Sequence, residues 1–80
     1  MLLQKREQYV MLEEVIPEGN VVSRVDGIVE YKGVQYILGT NDLKMKKYLL
    51  EKLNLLDVEE VVVIDMRFRG QIILRNRNSL

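Results

Sequence analysis

The residues best suited to chemistry in this chain are four arginines and one phenylalanine near its C-terminal end: Arg67, Phe68, Arg69, Arg75 and Arg77. Guanidinium groups bind carboxylates and phosphates through paired N–H donors, and an aromatic ring can stack on a base or on an arginine. The chain contains no histidine and no cysteine, which removes the commonest general base, metal ligand and thiol nucleophile. We therefore expect a binding function, with no cofactor and no metal.

Patterns typical of enzymes are missing from the sequence. The paired acids Glu13-Glu14 and Glu59-Glu60 are adjacent, so their side chains point in different directions and cannot share one substrate. There is no phosphate-binding glycine loop and no dinucleotide-binding glycine fingerprint. An enzyme is therefore not expected.

The basic cluster lies within residues 59–77, which predict a long strand, a tight turn at Arg69-Gly70 and a return strand. Side chains alternate between the two faces of a strand, and β-branched residues suit a half-buried face. For Asp65 we expect a structural role, as the partner of a neighbouring arginine or of a turn N–H. The residues expected to share one face of the first strand, with Phe68 packed in the core, are Val62, Ile64, Met66 and Phe68.

The return strand, Gln71–Arg75, is followed only by a short polar tail, residues 76–80. No later strand could cover it, so it is predicted to be a sheet edge that could accept an extended partner segment. The same edge predicts a weak homodimer in the absence of a partner. The predicted partner-binding residues are Arg67, Phe68, Gly70, Gln71, Ile72, Ile73, Leu74 and Arg75.

The rest of the chain predicts one small domain, residues 1–80, in which elements follow in the order α-β-β-β-α-β-β. This order predicts an α+β fold with a mainly antiparallel sheet and helices on one face. Pro17 ends the first helix, and Asp26-Gly27 and Lys32-Gly33 are turn signals. The elements before the C-terminal hairpin are a helix over 2–16, strands over 21–25, 28–31 and 34–38, and a helix over 43–56.

The second predicted helix carries an apolar stripe at helical spacing. Asn41 is its expected N-cap, and Asp42 would then lie in the first turn. Lys46 borders the stripe, where its stem could cover the core while its amine reaches solvent. The stripe consists of Met45, Leu49, Leu50, Leu53 and Leu56.

The chain has no net charge, but its charges are unevenly distributed, with acids concentrated before residue 31 and arginines after residue 66. One interpretation is an ordinary solvated surface, and the other is a pair of partner-binding patches. A nucleic-acid-binding domain that uses the arginine-rich hairpin is the alternative function. The absence of net positive charge and the single phenylalanine argue against it, so nucleic acid is not the expected partner.

Residues 64–68, Ile-Asp-Met-Arg-Phe, followed by Gly70 and the apolar run 72–74, resemble a motif near the C-terminus of the bacterial cell-division proteins FtsQ and DivIB. Upstream, residues 33–39 are similar to a glycine-bounded strand of that family, and residues 42–46 are similar to the start of its following helix. The resemblance covers roughly residues 20–75.

The resemblance implies a divisome component whose C-terminal strand recruits FtsB/DivIC-like and FtsL-like partners on the extracytoplasmic side of the membrane. It places Arg67, Phe68 and Gly70 on motif positions and residues 71–74 on the recruiting strand. Family members carry a transmembrane helix and another domain upstream. The chain is therefore expected to be the excised C-terminal part of a single-pass membrane protein, because no run approaches the ~20 apolar residues of a membrane span.

Overall fold

The computed structural model describes residues 10–77 of the chain. Within them the elements follow the predicted order α-β-β-β-α-β-β, and the predicted α+β class is confirmed. The helices are α1 (Leu12–Val15) and α2 (Leu43–Lys52). The strands are β1 (Asn20–Ser23), β2 (Ile28–Tyr31), β3 (Val34–Ile37), β4 (Val61–Asp65) and β5 (Ile73–Asn76).

The described strands form one sheet in the order β1-β2-β3-β4-β5. β1 with β2, β2 with β3, and β4 with β5 pair antiparallel, as predicted for most of the sheet. β3 and β4 pair parallel. The connection between them contains α2, which returns the chain to the end of the sheet at which β3 begins. The crossover also places α2 beside the connection that follows β4.

The strand register separates two sides of the sheet. Val29, Tyr36, Ile64 and Leu74 are consecutive partners across β2 to β5, so they share one side. We call this the helix side, because its buried residues form one core with residues of α1, α2 and the loops beside them. The opposite, open side carries Ile37, Val63, Asp65, Ile73 and Arg75. The core consists of Leu12, Val15, Ile16, Val29, Val34, Tyr36, Leu38, Leu50, Leu55, Ile64 and Met66.

The alternation predicted for β4 holds from Val63 onward and fails before it. The register between β4 and β5 shifts between Val61 and Val63, as at a β-bulge. Val61 therefore packs against the core instead of facing the open side. Ile64 and Met66 are buried on the helix side, as predicted.

The two predicted turns of the meander differ in length. Lys32 and Gly33 have φ angles of 52° and 78° and form the predicted two-residue hairpin turn. The prediction for Asp26-Gly27 was too short, because Ser23 pairs with Ile28 and residues 24–27 form the loop. Gly27, with φ 69°, is needed there because an added Cβ would lie 1.8 Å from the Gly39 carbonyl oxygen.

The first helix is shorter than predicted within the described residues. Met11 has an extended backbone, with φ −88° and ψ 159°, and its N–H donates to Glu14 Oε1 at 2.7 Å. The helix begins at Leu12 and ends before Pro17. This end is expected, because a residue that precedes proline, here Ile16, disfavours the helical conformation. Residues 2–9 of the predicted helix lie outside the described residues.

Helix α2 begins and ends at other residues than those predicted. Asp42, not Asn41, is the N-cap, and its φ of 56° lies in the left-handed region. At the other end Asn54 has φ 55°; its N–H donates to the Glu51 carbonyl, and Leu55 N–H donates to the Leu50 carbonyl. These two bonds form a Schellman cap, which ends the helix at Lys52 instead of residue 56.

The cap also corrects the predicted apolar stripe of α2. Leu50 is fully buried and Leu55 is buried beside it, because the cap folds the chain back onto the core. Leu53 and Met45 were predicted to be in the core, but they are 50% and 60% exposed.

Candidate functional site

The candidate site is the edge of the sheet at β5, the last strand in the order of the described strands. Among the described strands β5 pairs only with β4, so the prediction of an edge at this place is confirmed. The strand covers Ile73–Asn76, whereas Gln71 and Ile72 of the predicted strand belong to the preceding connection. Asn76, assigned to the polar tail from the sequence, is the last residue of β5.

Backbone hydrogen bonds fix which residue of β5 faces outward. Arg77 N–H donates to the Glu60 carbonyl at 2.8 Å, so Arg77 faces β4. Residues of an antiparallel strand alternate in direction, so Arg75 and Ile73 also direct N–H and C=O at β4. Met66 N–H donates to the Ile37 carbonyl, so Met66 faces β3 and its neighbour Asp65 faces β5. Since Asp65 pairs with Ile73, this also indicates that Ile73 faces β4. Leu74 therefore directs its N–H and C=O away from the sheet.

The side chains of β5 are exposed on both sides of the sheet. Leu74, on the helix side, is 47% exposed, and Ile73, on the open side, is 39% exposed. Arg75 lies on the open side opposite Val63. Two neighbouring apolar side chains and an outward backbone therefore occur together at one edge, which is the arrangement that strand addition uses.

The connection before β5 is longer than the predicted tight turn. β4 ends at Asp65 and β5 begins at Ile73, so residues 66–72 connect them. Gly70 has the expected positive φ, 75°, and Gln71 N–H donates to the Phe68 carbonyl at 3.2 Å. The predicted turn glycine is therefore correct, but it lies in a wider loop beyond the sheet.

Asp65 organises the start of this connection, as predicted from the sequence. Its carboxylate receives hydrogen bonds from the backbone N–H, Nε and Nη2 of Arg67, at 3.0, 3.0 and 2.8 Å. The hydrogen bond from the Arg67 side chain is the main reason that the pKa of Asp65 lies below its ordinary value, and Arg75 contributes weakly. The Arg67 guanidinium is therefore held in one position while remaining half exposed.

Phe68 is not a core residue, in contrast to the prediction. It is 49% exposed, because β4 ends at Asp65 and the chain has left the sheet where Phe68 occurs. The Arg67 guanidinium carbon lies 5.3 Å from the centre of the Phe68 ring, within cation–π range. Arg67 and Phe68 thus present a planar cation and an aromatic face side by side, near the exposed edge strand.

A groove of about 760 Å³ separates the connection from α2. Met45, Leu49, Met66, Phe68 and Ile72 supply its apolar lining, and Lys46, Arg67 and Arg69 contribute positive charge. Met45 and Leu49 are not among the site residues predicted from the sequence. Only the parallel crossover brings α2 beside the connection, and no local motif signals that contact.

Lys46 links α2 to the end of β3. Its Nζ donates a hydrogen bond to the Leu38 carbonyl, and its burial lowers the pKa of the amine. The intermediate exposure of Lys46 fits the predicted position at the border of the core, but the prediction that its amine reaches solvent is wrong, because Nζ is hydrogen-bonded to the Leu38 carbonyl. Lys46 therefore lines the groove while its amine is bonded to the residue that follows β3.

The acidic N-terminal part of the chain is partly paired. Glu13 and Arg24 form an exposed ion pair, and Glu18 accepts a hydrogen bond from the Tyr31 hydroxyl at 3.3 Å. In residues 10–77 no three acidic side chains are close enough together to hold a metal ion. No helix in this part of the chain has the length and apolar character needed to cross a membrane.

Comparisons with known proteins do not identify a family. No protein-family model, no curated protein and no solved structure matches this chain. The functional assignment therefore depends on the geometry of the edge and on the motif resemblance.

Proposed function

We propose that this domain is a non-enzymatic protein-interaction module that recruits an extended partner segment by β-augmentation on β5. The outward N–H and C=O of Leu74 at the end of the sheet carry the proposal. An added strand would satisfy these groups through main-chain hydrogen bonds, which supply affinity, while neighbouring side chains supply selectivity. Each such bond contributes about 0.5–1.5 kcal/mol, so the side-chain contacts must supply much of the affinity.

The partner class follows from the resemblance to FtsQ and DivIB. In this proposal the chain belongs to the bacterial divisome, where it recruits an FtsB/DivIC-like protein together with an FtsL-like protein on the extracytoplasmic side of the membrane. The supporting observation is the placement of the motif: Arg67, Phe68 and Gly70 lie in the connection that leads into β5.

The side chains beside the edge favour a partner that carries both apolar and acidic groups. The groove offers an apolar surface that extends to Ile72, just before β5, and Arg67 is held by Asp65 with its guanidinium half exposed. A fixed arginine loses little conformational entropy when it binds a carboxylate. These features support a role for Arg67 and Phe68 in partner selection.

Titration calorimetry with the extracytoplasmic segment of an FtsB/DivIC protein tests this function. Leu74→Pro removes the outward donor and should abolish binding, whereas Leu74→Ala keeps the N–H and should weaken binding only through the lost side chain. The fold should tolerate proline here because this N–H faces away from β4, unlike that of Ile73. Equal affinity of Leu74→Pro and Leu74→Ala would contradict strand addition.

Exposure of Phe68 favours nucleic-acid binding as the second candidate function. Its ring and the four arginines at positions 67, 69, 75 and 77 could contact bases and phosphates of a single strand. Titration with mixed-sequence RNA and DNA at low and high salt separates the candidates, because phosphate contacts weaken steeply as salt rises. Submicromolar, salt-sensitive binding would favour this second function over partner recruitment.

A further inference from the structure

The register of β5 determines where each side chain of an added strand would lie. This inference rests on the proposed function, since it specifies the partner of the same edge. Because Leu74 directs its polar groups outward, it would pair with the central residue of the added strand. That central residue shares the helix side with Leu74, and its two neighbours share the open side with Ile73 and Arg75.

The helix side of the edge requires an apolar central residue. Leu74 is 47% exposed, and Ile72, also apolar, lines the groove beside it. A polar group placed opposite Leu74 would lose water without gaining a hydrogen-bond partner from these apolar neighbours. A branched apolar side chain would instead bury surface that Leu74 now exposes.

The open side of the edge is apolar at one position and positive at the next. Ile73, opposite Asp65, is 39% exposed and suits a second apolar neighbour. Arg75 lies opposite Val63, so its partner on β4 offers no charge. Among the ion pairs of residues 10–77, none involves Arg75. Asp65, on the same side, interacts with Arg75 only weakly. An acid opposite Arg75 on the added strand would supply a directly opposed countercharge.

We propose that β5 selects an extended segment with the sequence pattern acid–apolar–apolar, added antiparallel, with its acid opposite Arg75 and its central residue opposite Leu74. Antiparallel addition is slightly more stable per residue than parallel addition and places each pair directly opposite. In this orientation the residue preceding the central one lies opposite Arg75, so the acid comes first in the partner sequence.

A second copy of the chain does not fit this pattern. Antiparallel pairing of β5 with itself around Leu74 would place Ile73 of one copy opposite Arg75 of the other. No acid would lie directly opposite Arg75, and positive charge would accumulate along the shared edge. The pattern therefore favours a different polypeptide over the weak homodimer predicted from the sequence.

Three ten-residue capped peptides test the pattern, with central sequences Glu-Val-Val, Lys-Val-Val and Val-Val-Glu. Their affinities for the full chain are measured from the backbone amide chemical shifts of β5, with Leu74 as the main reporter in the wild type and Ile73 and Arg75 in the Leu74→Pro variant. We expect Glu-Val-Val to bind about 1.4- to 5-fold more tightly than either other peptide, since a cross-strand charge pair contributes roughly 0.2–1 kcal/mol. The Arg75→Glu variant should prefer Lys-Val-Val, and Arg75→Gln should bind Glu-Val-Val and Lys-Val-Val equally.

The outcomes separate this inference from the proposed function. Binding that Leu74→Pro abolishes, but that shows no charge preference, would overturn the pattern and keep strand addition. Tightest binding of Val-Val-Glu would overturn the antiparallel orientation. If no peptide shifts the Leu74 amide at millimolar concentration, the edge does not accept a strand, and the pattern and the proposed function both fail.

Discussion

The Arg67 side chain lies on the Asp65 carboxylate, with Nε and Nη2 donating hydrogen bonds of 3.0 and 2.8 Å to its two oxygens. The Arg67 backbone N–H donates to the same carboxylate. One buried acid therefore fixes both the backbone and the side chain of the first exposed arginine after β4. The contact lies where the chain leaves the sheet, at the start of the connection to the candidate edge.

The Asp65→Asn variant should lower the free energy of unfolding at neutral pH by about 1–2 kcal/mol, because charge-assisted hydrogen bonds are replaced by weaker neutral ones. The estimate is modest because the Arg67 side chain is 51% exposed and its ion pair is screened by water. Urea unfolding measures the difference. An unchanged midpoint and slope would show that the contact contributes nothing to stability.

The same pair predicts a pH dependence. Hydrogen bonding by Arg67 places the folded-state pKa of Asp65 below its ordinary value of 3.8. The resulting stabilisation is complete above that ordinary value and is lost as the pH falls through the folded-state pKa. The stability difference between the wild type and Asp65→Asn should therefore shrink between about pH 5 and about pH 2. A difference that stays constant over this range would contradict the assignment.

Tyr36→Phe should destabilise the domain by about 1–3 kcal/mol, because it leaves the Leu55 carbonyl without its hydrogen bond. The Tyr36 hydroxyl donates to that carbonyl at 2.8 Å and connects the cap that follows α2 to β3, the central strand of the sheet. Burial raises the pKa of Tyr36 to about 12. Alkaline absorbance titration should show a late-ionising tyrosine in the wild type that is missing from the variant.

Leu50→Ala and Leu53→Ala form a matched pair on α2 and its cap. Leu50 is fully buried, so the variant should lose about 2–5 kcal/mol through lost burial and a new cavity. Leu53 is 50% exposed, so its loss should stay below about 1 kcal/mol. Urea unfolding of both variants measures the two losses in unfolding free energy. A larger loss for Leu53→Ala than for Leu50→Ala would support the apolar stripe predicted from the sequence.

Asn54→Gly should stabilise the domain by up to about 1 kcal/mol, because Asn54 has φ 55° and glycine adopts that conformation without steric cost. Asn54→Ala should destabilise it for the same reason. Thermal unfolding of the two variants measures the effect. The opposite order would mean that the chain does not end α2 with a left-handed residue.

Local sequence patterns predicted the elements of this fold better than its contacts. The hairpin at Lys32-Gly33 was predicted correctly because both residues adopt positive φ. Asp65 was predicted to pair with a neighbouring arginine, and it pairs with Arg67, two residues away. The end of α2 was misplaced because the predicted helix, residues 43–56, included Asn54, although asparagine also favours the left-handed cap position.

The candidate site was predictable in part. The position of β5 at the edge of the sheet was predicted correctly. Gly70 was also predicted correctly as a residue with positive φ. Phe68 was misassigned because strand alternation was extended past Asp65, where the ladder ends. The contribution of Met45 to the groove depends on the parallel crossover, a contact distant in sequence that periodicity does not encode.

Amide hydrogen exchange at Leu74 tests the central claim most directly. In the free domain at low concentration, Ile73 and Arg75 should be protected by the β4 ladder, and Leu74 should exchange rapidly. Addition of an FtsB/DivIC-like segment should slow the exchange of Leu74 and leave its two neighbours nearly unchanged. If Leu74 is already as protected as Ile73 and Arg75 without a partner, β5 is not a free edge and strand recruitment is wrong.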